Sequence, residues 1–253
     1  DVLNAPQCKC IFELMDAVVK AAEERHIGLI PSLFWWYACI PDVVGEPINQ
    51  WGNPESKTIA FMRKYVEDVV GRYKDSPAIW AWELGNEYSL AADLPNAADH
   101  RPWAKPDLGT PASRSEADDL RHDMVVTACT EFAIAVRKID AKHLITTGHS
   151  LPRPAAEHMR RELSWKQDSV EELQKNLLDV TPDPCNLVSI HVYPFEEKGR
   201  FNQQVTPYKQ VLDACLQVCV KAGKPLFVGE FGAPDDKDGG GPEVAKTEFM
   251  KLL

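Results

Sequence analysis

The chain has 253 residues and a formal net charge of −10 at pH 7, with 44% hydrophobic and 26% charged residues. This composition is typical of a globular protein and excludes disordered, collagenous and fibrous classes. The acidic excess argues against nucleic acid and anionic membranes as main partners, because both are bound by basic surface, and no apolar run approaches the length of a membrane helix.

Helical and strand-like patterns alternate along the chain. In order, they predict a helix from Cys8 to about His26, a strand over 28–34, a helix over 54–73, a strand over 78–84, a helix over 120–139, strands over 143–147 and 187–193, a helix over 206–222, a strand over 225–230 and a helix that begins near Pro242. Repeated strand–helix units predict an α/β fold with a parallel sheet, in a single domain over residues 1–253.

Two connections are long, over 88–113 and 148–186, and the second contains short helical patterns over 155–163 and 170–178. Both follow strands, so in an α/β barrel they lie on the face where active sites are built. Long connections inside a compact domain are usually functional or disordered. We therefore expect a site at this end of the strands.

Polar residues stand at the ends of the predicted strands. Glu87, His149 and Glu230 each follow or end a strand, while His191 and Tyr193 alternate with apolar residues in a fourth strand. A parallel strand buried on both faces would be continuously apolar. These residues predict a shared polar pocket, and separate surface carboxylates where loops begin are the alternative interpretation.

Two carboxyl groups at the mouth of one apolar barrel are what glycoside hydrolysis requires. One must be protonated to donate to the leaving oxygen, and the other must be ionised to attack the sugar or to activate water. Proximity and partial burial push the pKa values of two such groups apart.

Three segments resemble clan A glycoside hydrolases, especially family 5 cellulases and β-mannanases. Residues 80–87, with the sequence WAWELGNE, resemble the fourth-strand signature of that clan. Residues 227–232, with the sequence FVGEFG, resemble its seventh-strand signature, and the spacing of His191 and Tyr193 resembles its sixth strand. The resemblance covers nearly the whole chain and implies a (β/α)8 TIM barrel, of which the five strands found here are strands three to seven.

The resemblance also implies a retaining mechanism on β-linked glucan- or mannan-type substrates, with no cofactor and no metal. Glu87 would be the general acid/base and Glu230 the nucleophile. Asn86 would hydrogen-bond the sugar 2-hydroxyl, Tyr193 would hold the nucleophile, and His191 would line the same subsite. The carboxyl groups of a retaining enzyme lie about 5–5.5 Å apart, against about 6.5–9.5 Å in an inverting one.

Aromatic side chains near the predicted pocket are typical of carbohydrate binding, because sugar rings pack their C–H faces on aromatic faces. Trp35, Trp36 and Tyr88 follow strands, and Trp51 and Trp103 stand in connections. We predict an oligo- or polysaccharide partner on this basis. Ordinary packing is the alternative for each aromatic residue.

Two further assignments concern strand residues. Trp80 and Trp82 are predicted to be core residues, because they stand inside a buried strand. His149 is either a residue of a sugar subsite or a structural hydrogen-bonding group.

The sequence departs from the family pattern at both ends. Nothing before the first helix supplies strands one and two, and neither the usual Arg at the end of strand two nor the usual Trp at strand eight has a counterpart. An open sheet would expose two edges and part of the barrel core. We therefore expect residues 1–253 to be a segment of a longer protein, with a truncated, inactive homologue as the alternative.

Two other function classes stay open. One is a catalytically silent carbohydrate-binding relative of the same fold. The other is a metal-dependent barrel hydrolase with His149, His191, Glu87 and Glu230 as ligands, although no His-x-His appears on an early strand. The loop over 235–241 lacks the spacing of a calcium or phosphate loop and is expected to be solvated.

The cysteines carry little further information. Their number, seven, is odd, and the sequence contains no Asn-x-Ser/Thr sequon. Both observations favour a reducing compartment, with Cys215 and Cys219 as buried thiols of a helix. Oligomeric state is not encoded in any pattern that we recognise.

Overall fold

The computed structural model describes residues 6–193 and 199–232, together with Thr247, Met250 and Lys251. Its helices and strands are α1 (Pro6–Arg25), β1 (Ser32–Phe34), α2 (Cys39–Val44), α3 (Lys57–Tyr73), β2 (Ala81–Gly85), α4 (His122–Ile139), β3 (Leu144–Thr146), α5 (Ala156–Glu162), α6 (Val170–Asp179), β4 (Val188–Val192), α7 (Tyr208–Ala222) and β5 (Leu226–Phe231). The predicted helix from Pro242 and the loop over 235–241 lie outside the described residues.

All five strands are parallel, as predicted, but they form two sheets instead of one. β1, β2 and β3 pair in that order, and β4 pairs with β5. Asn186 stands between the two sheets: its side chain accepts a hydrogen bond from the Ile145 amide at 2.8 Å, and its own amide donates to the Ile145 carbonyl at 3.1 Å. A side chain therefore replaces part of the strand ladder here, and within the described residues the barrel is not closed.

The first strand is shorter than predicted because of a proline. Leu29 makes an isolated bridge with Ile79, and regular pairing begins only at Ser32. Pro31 has no amide hydrogen to donate, although its carbonyl still accepts from the Glu83 amide at 3.1 Å. Residues 29–34 thus run alongside residues 79–85, with the regular strand pairing interrupted at Pro31.

The helices cover the outer faces of the two sheets. The predicted apolar stripe of α3 is confirmed, because its members are all buried: Ile59, Met62, Val66, Val69, Val70 and Tyr73. With α4 they form a core on the first sheet. A second core joins α6 and α7 to β4 and β5, and the thiols of Cys215 and Cys219 are buried in it as predicted.

The long connection between β3 and β4 is fixed by one carboxylate. Asp168 accepts hydrogen bonds from the amides of Glu157 and His158 at 2.8 and 3.2 Å, and it lies 2.7 Å from His158 Nδ1. It thereby satisfies amides of the first turn of α5 that have no partner within the helix. This connection is a packed part of the protein.

Trp80 contradicts the prediction that it is a core residue. Trp82 is fully buried, but 62% of Trp80 is exposed. Its ring lies against Gly28, where a Cβ atom would come within 2.1 Å of the indole. The bare backbone of the glycine covers one face of the ring, and the other face is open to solvent.

Among the described residues, no helix combines the length and the apolar character needed to cross a bilayer.

Asp140 connects α4 to β3 through a buried network. Its carboxylate accepts from Trp82 Nε1 at 2.8 Å and from the amides of Lys142 and His143 at 2.9 and 3.2 Å, and it lies 2.6 Å from His143 Nδ1. Burial opposes ionisation, but these donors outweigh it and lower the pKa of Asp140 to about 2. The carboxylate therefore stabilises the folded state fully above its unfolded pKa of about 4, and this contribution is lost as the pH falls through 2.

We predict that Asp140→Ala lowers the free energy of unfolding at pH 7 by about 3 kcal/mol, because several buried donors lose their partner. Urea unfolding followed by circular dichroism measures this change. The control is Asp123→Ala, which removes a carboxylate that is 73% exposed. Equal effects of the two substitutions would contradict the argument.

Candidate active site

Glu87 is held at the end of β2 in an unusual backbone conformation. Its φ and ψ angles of 55° and 29° lie in the left-handed region, which is uncommon for residues other than glycine. Its amide donates to the Gly148 carbonyl at 2.9 Å. Gly148 also has a positive φ of 69°, and a Cβ atom there would lie 1.9 Å from the Gly85 carbonyl oxygen. Only glycine permits this close approach, which fixes the turn that carries Glu87.

Glu230 faces the same pocket because β5 contains a bulge. The pairing runs from Ile190 with Val228 directly to His191 with Glu230, so Gly229 is an extra residue. If the strand ran on with regular pairing, Glu230 would lie on the same face as Val228, which packs into the helix-covered core. A one-residue bulge reverses the facing of the side chains that follow it. Space at this glycine is also limited, since a Cβ atom there would lie 3.1 Å from His191 Nε2.

His191 connects the two carboxylates. Its Nδ1 atom lies 2.9 Å from Glu87 Oε1 and 3.5 Å from Glu230 Oε1. Tyr193, two residues further on the same face of β4, donates its hydroxyl to Glu230 Oε2 at 2.6 Å. One oxygen of Glu87 lies within 4.8 Å of an oxygen of Glu230. The structure thus brings together Glu87, Glu230, His191 and Tyr193, which the sequence singled out.

Hydrogen bonding controls the protonation of this cluster. An ionised carboxylate only accepts hydrogen bonds, so His191 Nδ1 donates to Glu87. This bond outweighs the partial burial of Glu87 and lowers the pKa of its carboxyl group. The hydrogen bond to Glu230 raises the pKa of Tyr193 to about 12, so its hydroxyl stays protonated at neutral pH.

Three neighbours of the cluster were not predicted. Ser150 and Arg153 both lower the pKa of Glu87, the first through a hydrogen bond and the second through its charge. Glu83 stands in β2, and burial raises the pKa of its carboxyl group. Ser150 directly follows His149, the residue for which the sequence predicted a place in a sugar subsite or a structural hydrogen bond. The positive φ of Gly148 breaks the strand alternation, so counting along the strand could not decide between the two.

Asn86 and Trp35 lie side by side at the same end of the strands. The Asn86 amide donates to the Trp35 carbonyl at 3.1 Å, and Asn86 itself is half-buried. Trp35 is 62% exposed, so its indole is available to a ligand. Both positions agree with their expected place next to Glu87.

The structure contradicts the expectation that Tyr88 and His149 contact a sugar, because neither has any exposed surface. Tyr88 donates its hydroxyl to the Phe34 carbonyl at 2.5 Å and packs in the core. His149 Nε2 lies 3.5 Å from Cys129 Sγ, and burial lowers the pKa of the imidazole to about 3. Trp51 is also buried, and its Nε1 atom donates to the Tyr37 carbonyl at 2.6 Å.

The other aromatic candidates line an open groove. Trp36 and Trp103 border a cavity of about 570 Å³, whose other lining residues come from α2 and from the connection after β2. Trp103 is 73% exposed, and the Lys105 ammonium lies 4.9 Å from the centre of its ring. An exposed indole next to polar groups is suited to stacking on a sugar ring.

The cluster fits a metal ion less well than its composition suggests. Of the four residues considered as ligands, Glu87, His191 and Glu230 meet, but His149 is directed towards Cys129. A histidine binds a metal through a nitrogen lone pair, whereas Nδ1 of His191 carries the proton that it donates to Glu87. The arrangement suits two carboxyl groups that are held by hydrogen bonds from His191 and Tyr193.

The chain as a whole is similar to known proteins of one family. A family model described as Cellulase (glycosyl hydrolase family 5) matches residues 10–252. Mannan endo-1,4-beta-mannosidase F of Aspergillus clavatus is 25% identical over 244 residues, which are 94% of this chain and 48% of that protein. Probable mannan endo-1,4-beta-mannosidase F of Aspergillus flavus is 40% identical over 229 residues, 87% of this chain and 42% of that protein.

The solved structure of the hyperthermostable endo-1,4-beta-D-mannanase from Thermotoga petrophila RKU-1 superposes with a TM-score of 0.61. The two chains are 18% identical, and the match covers 95% of this chain and 64% of the other. This likeness shows a shared fold, that of the (β/α)8 barrels. The chain spans about half the length of the curated relatives that it matches. Because the family model matches nearly the whole chain, the chain belongs to glycosyl hydrolase family 5.

Proposed function

We propose that this protein is a retaining glycoside hydrolase that cleaves β-linked mannan- or glucan-type polysaccharides. The observation that carries the proposal is the separation of the two carboxylates. One oxygen of Glu87 and one of Glu230 lie within 4.8 Å of each other. This upper limit favours the short carboxyl separation of about 5–5.5 Å in retaining enzymes over the about 6.5–9.5 Å of inverting ones.

In the first step, Glu230 attacks the anomeric carbon while Glu87 donates a proton to the leaving oxygen. The glycosidic bond breaks, and a covalent glycosyl ester forms on Glu230. In the second step, Glu87 removes a proton from water, which attacks the anomeric carbon and releases Glu230. Both residues then return to their initial protonation states.

The acid role places a condition on Glu87. The protein groups around it lower its carboxyl pKa, chiefly through the hydrogen bond from His191, which favours the ionised form. A general acid must be protonated, so substrate must favour that form. A sugar that excludes water from the pocket does this, because desolvation raises the pKa of a carboxyl group.

The other site residues have positioning roles. The hydroxyl of Tyr193 donates to Glu230 and holds it in one orientation. Asn86, whose side chain makes no hydrogen bond within the described part of the chain, would bind the 2-hydroxyl of the reacting sugar. Trp35, Trp36 and Trp103 would stack on sugar units further along the chain.

The relatives favour mannan over glucan as the substrate. The names of the Aspergillus proteins specify mannan, and the Thermotoga petrophila structure is that of an endo-acting mannanase. The open groove beside Trp36 and Trp103 is suited to the middle of a chain, as endo action requires. A silent sugar-binding relative is the second candidate, because the first sheet and the second are not closed into a barrel within the described residues.

We predict that the protein hydrolyses a β-mannan more rapidly than a β-glucan and that Glu230→Gln abolishes both activities, because the amide cannot form the glycosyl ester. A reducing-sugar assay with both polysaccharides and an aryl β-mannoside measures this. The matched variant Glu87→Ala retains turnover of the aryl substrate, whose leaving group needs no proton. Binding of mannan without turnover by the folded protein would establish the silent relative instead.

We predict that His191→Phe shifts the alkaline limb of the kcat/KM profile to higher pH. Activity is lost as the pH rises through the pKa of the acid, and the substitution removes the hydrogen bond that lowers the pKa of Glu87. The pH profiles of the two proteins on one substrate measure the shift. An unchanged limb, or one at lower pH, would show that Glu87 is not the acid or that His191 does not control it.

We predict that Tyr193→Phe lowers kcat about ten- to a hundredfold, because a hydrogen bond to an ionised group is lost at the nucleophile. Steady-state kinetics measure the loss. The control is Tyr73→Phe, which removes a hydroxyl that donates to Asp16 at 2.9 Å on the outer helices. A similar loss in both variants would indicate a general effect on folding.

A further inference from the structure

A second cavity adjoins the candidate catalytic cluster and has a different character. It measures about 160 Å³ and lies between the end of β4, the start of α7 and the connection after β3. His191 and Tyr193 border it on one side, and its walls include Arg153 and Arg200. Its volume is about ten times what one buried water requires. No Asp or Glu belongs to its lining among the described residues.

The two arginines are anchored by backbone carbonyls. Arg153 donates from Nε and Nη2 to the Leu90 carbonyl at 2.9 and 2.6 Å, and Arg200 donates from Nη1 to the Pro152 carbonyl at 2.8 Å. Across residues 6–193 and 199–232, neither side chain has a carboxylate oxygen within 4.0 Å. Within these ranges, Arg153 Nη1 and Arg200 Nε and Nη2 thus keep N–H groups to donate.

An arginine that is largely removed from water without a carboxylate is uncommon, because a buried charge is costly unless it is paired. Burial lowers the pKa of both guanidinium groups, and at Arg153 it outweighs the opposite effect of the Glu87 charge. Arg114 and Arg101, by contrast, are bound to Asp42 and Asp119, whereas Arg137 also donates to backbone carbonyls, those of Asp140 and His143. In a chain with a net charge of −10, a cavity with two arginines that no described carboxylate pairs is suited to an anion.

The remaining polar groups of the cavity fit a sugar. The hydroxyls of Tyr208 and Thr206 donate to the backbone carbonyls of Tyr193 and Arg200 at 2.7 and 2.9 Å. Thr206 Oγ1 also accepts from the Arg200 amide at 2.8 Å, and an oxygen of this kind has a second lone pair, which suits a sugar hydroxyl group. The guanidinium groups offer donors in the planar arrangement that matches a carboxylate.

We propose that Arg153 and Arg200 form a subsite for the carboxylate of an acidic sugar, adjoining the bond that Glu87 and Glu230 cleave. The position of the subsite relative to a scissile bond rests on the proposed function, but the binding of the anion does not. A substrate with uronic acid units would then place one of them beside His191 and Tyr193.

Isothermal titration calorimetry of the protein with glucuronate, glucose, acetate and inorganic phosphate tests the proposal. We expect glucuronate to bind about tenfold or more tightly than glucose or acetate. Compared with glucose it gains a charge-assisted hydrogen bond, and compared with acetate it gains the contacts of the sugar ring. The double variant Arg153→Gln/Arg200→Gln should bind glucuronate and glucose equally. The control Arg121→Gln, at an arginine that is 62% exposed, should keep the preference.

If the double variant does not fold, the affinities of the unmodified protein for glucuronate, glucose and phosphate still test the proposal. Equal binding of glucuronate and glucose would overturn the proposal, and so would tighter binding of phosphate than of glucuronate. The proposal would also be overturned if the folded double variant still bound glucuronate more tightly than glucose. Glu196 and Glu197 follow Tyr193 closely in the sequence. If glucuronate binds only to a Glu196→Gln/Glu197→Gln variant, carboxylates of the chain itself neutralise the arginines, and the proposal is wrong.

Failure of this proposal and failure of the proposed function are distinguishable. Glu230→Gln should keep the preference for glucuronate, because Glu230 does not line the cavity. A protein that binds glucuronate but hydrolyses no polysaccharide would contradict the proposed function alone. A protein that hydrolyses mannan and binds glucuronate no better than glucose would contradict the acidic subsite alone.

Discussion

The site depends on a close contact between the ends of β2 and β3. A Cβ atom at Gly148 would overlap the Gly85 carbonyl, and the Gly148 carbonyl accepts the Glu87 amide. Two strand ends can approach so closely only where one of them has no side chain. The contact holds Glu87 in a left-handed conformation, which costs of order 1–3 kcal/mol for a non-glycine residue. This strain is maintained by the surrounding fold and sets the direction of the carboxylate.

The candidate catalytic cluster also joins the two sheets. Glu87 follows the end of β2 in the first sheet, while His191 and Glu230 belong to the second sheet and Tyr193 directly follows its strand β4. The hydrogen bond from His191 to Glu87 crosses between them, and the hydrogen bonds of Asn186 link the same two sheets. Any shift of one sheet against the other would change the separation of the two carboxylates. The packing of both cores therefore bears directly on the chemistry that the pair can perform.

Charge is distributed unevenly around this cluster. The chain is acidic overall, yet the groups that act most strongly on Glu87 are donors or cations: His191, Ser150 and Arg153. They favour the ionised carboxylate when only protein groups and water surround it. A ligand that removes water and separates these groups from Glu87 changes its protonation, so binding and proton transfer are coupled through the same contacts. The arginine cavity adjoins this environment, because His191, Ser150 and Arg153 all belong to its lining.

The amino-acid order predicts the alternation of strands and helices, the parallel pairing and the positions of Glu87 and Glu230 at strand ends. These are local properties of the chain, visible in its apolar periodicity. The order does not predict which face a residue takes after that periodicity is interrupted. The bulge at Gly229 turns Glu230 into the pocket, and the turn at Gly148 buries His149 and presents Ser150. Tyr88 and Trp80 differ from their expected environments because burial depends on what packs from other elements. Arg153 and Arg200 lie 47 positions apart in the chain and meet only through the tertiary structure, so no local pattern could have identified their cavity.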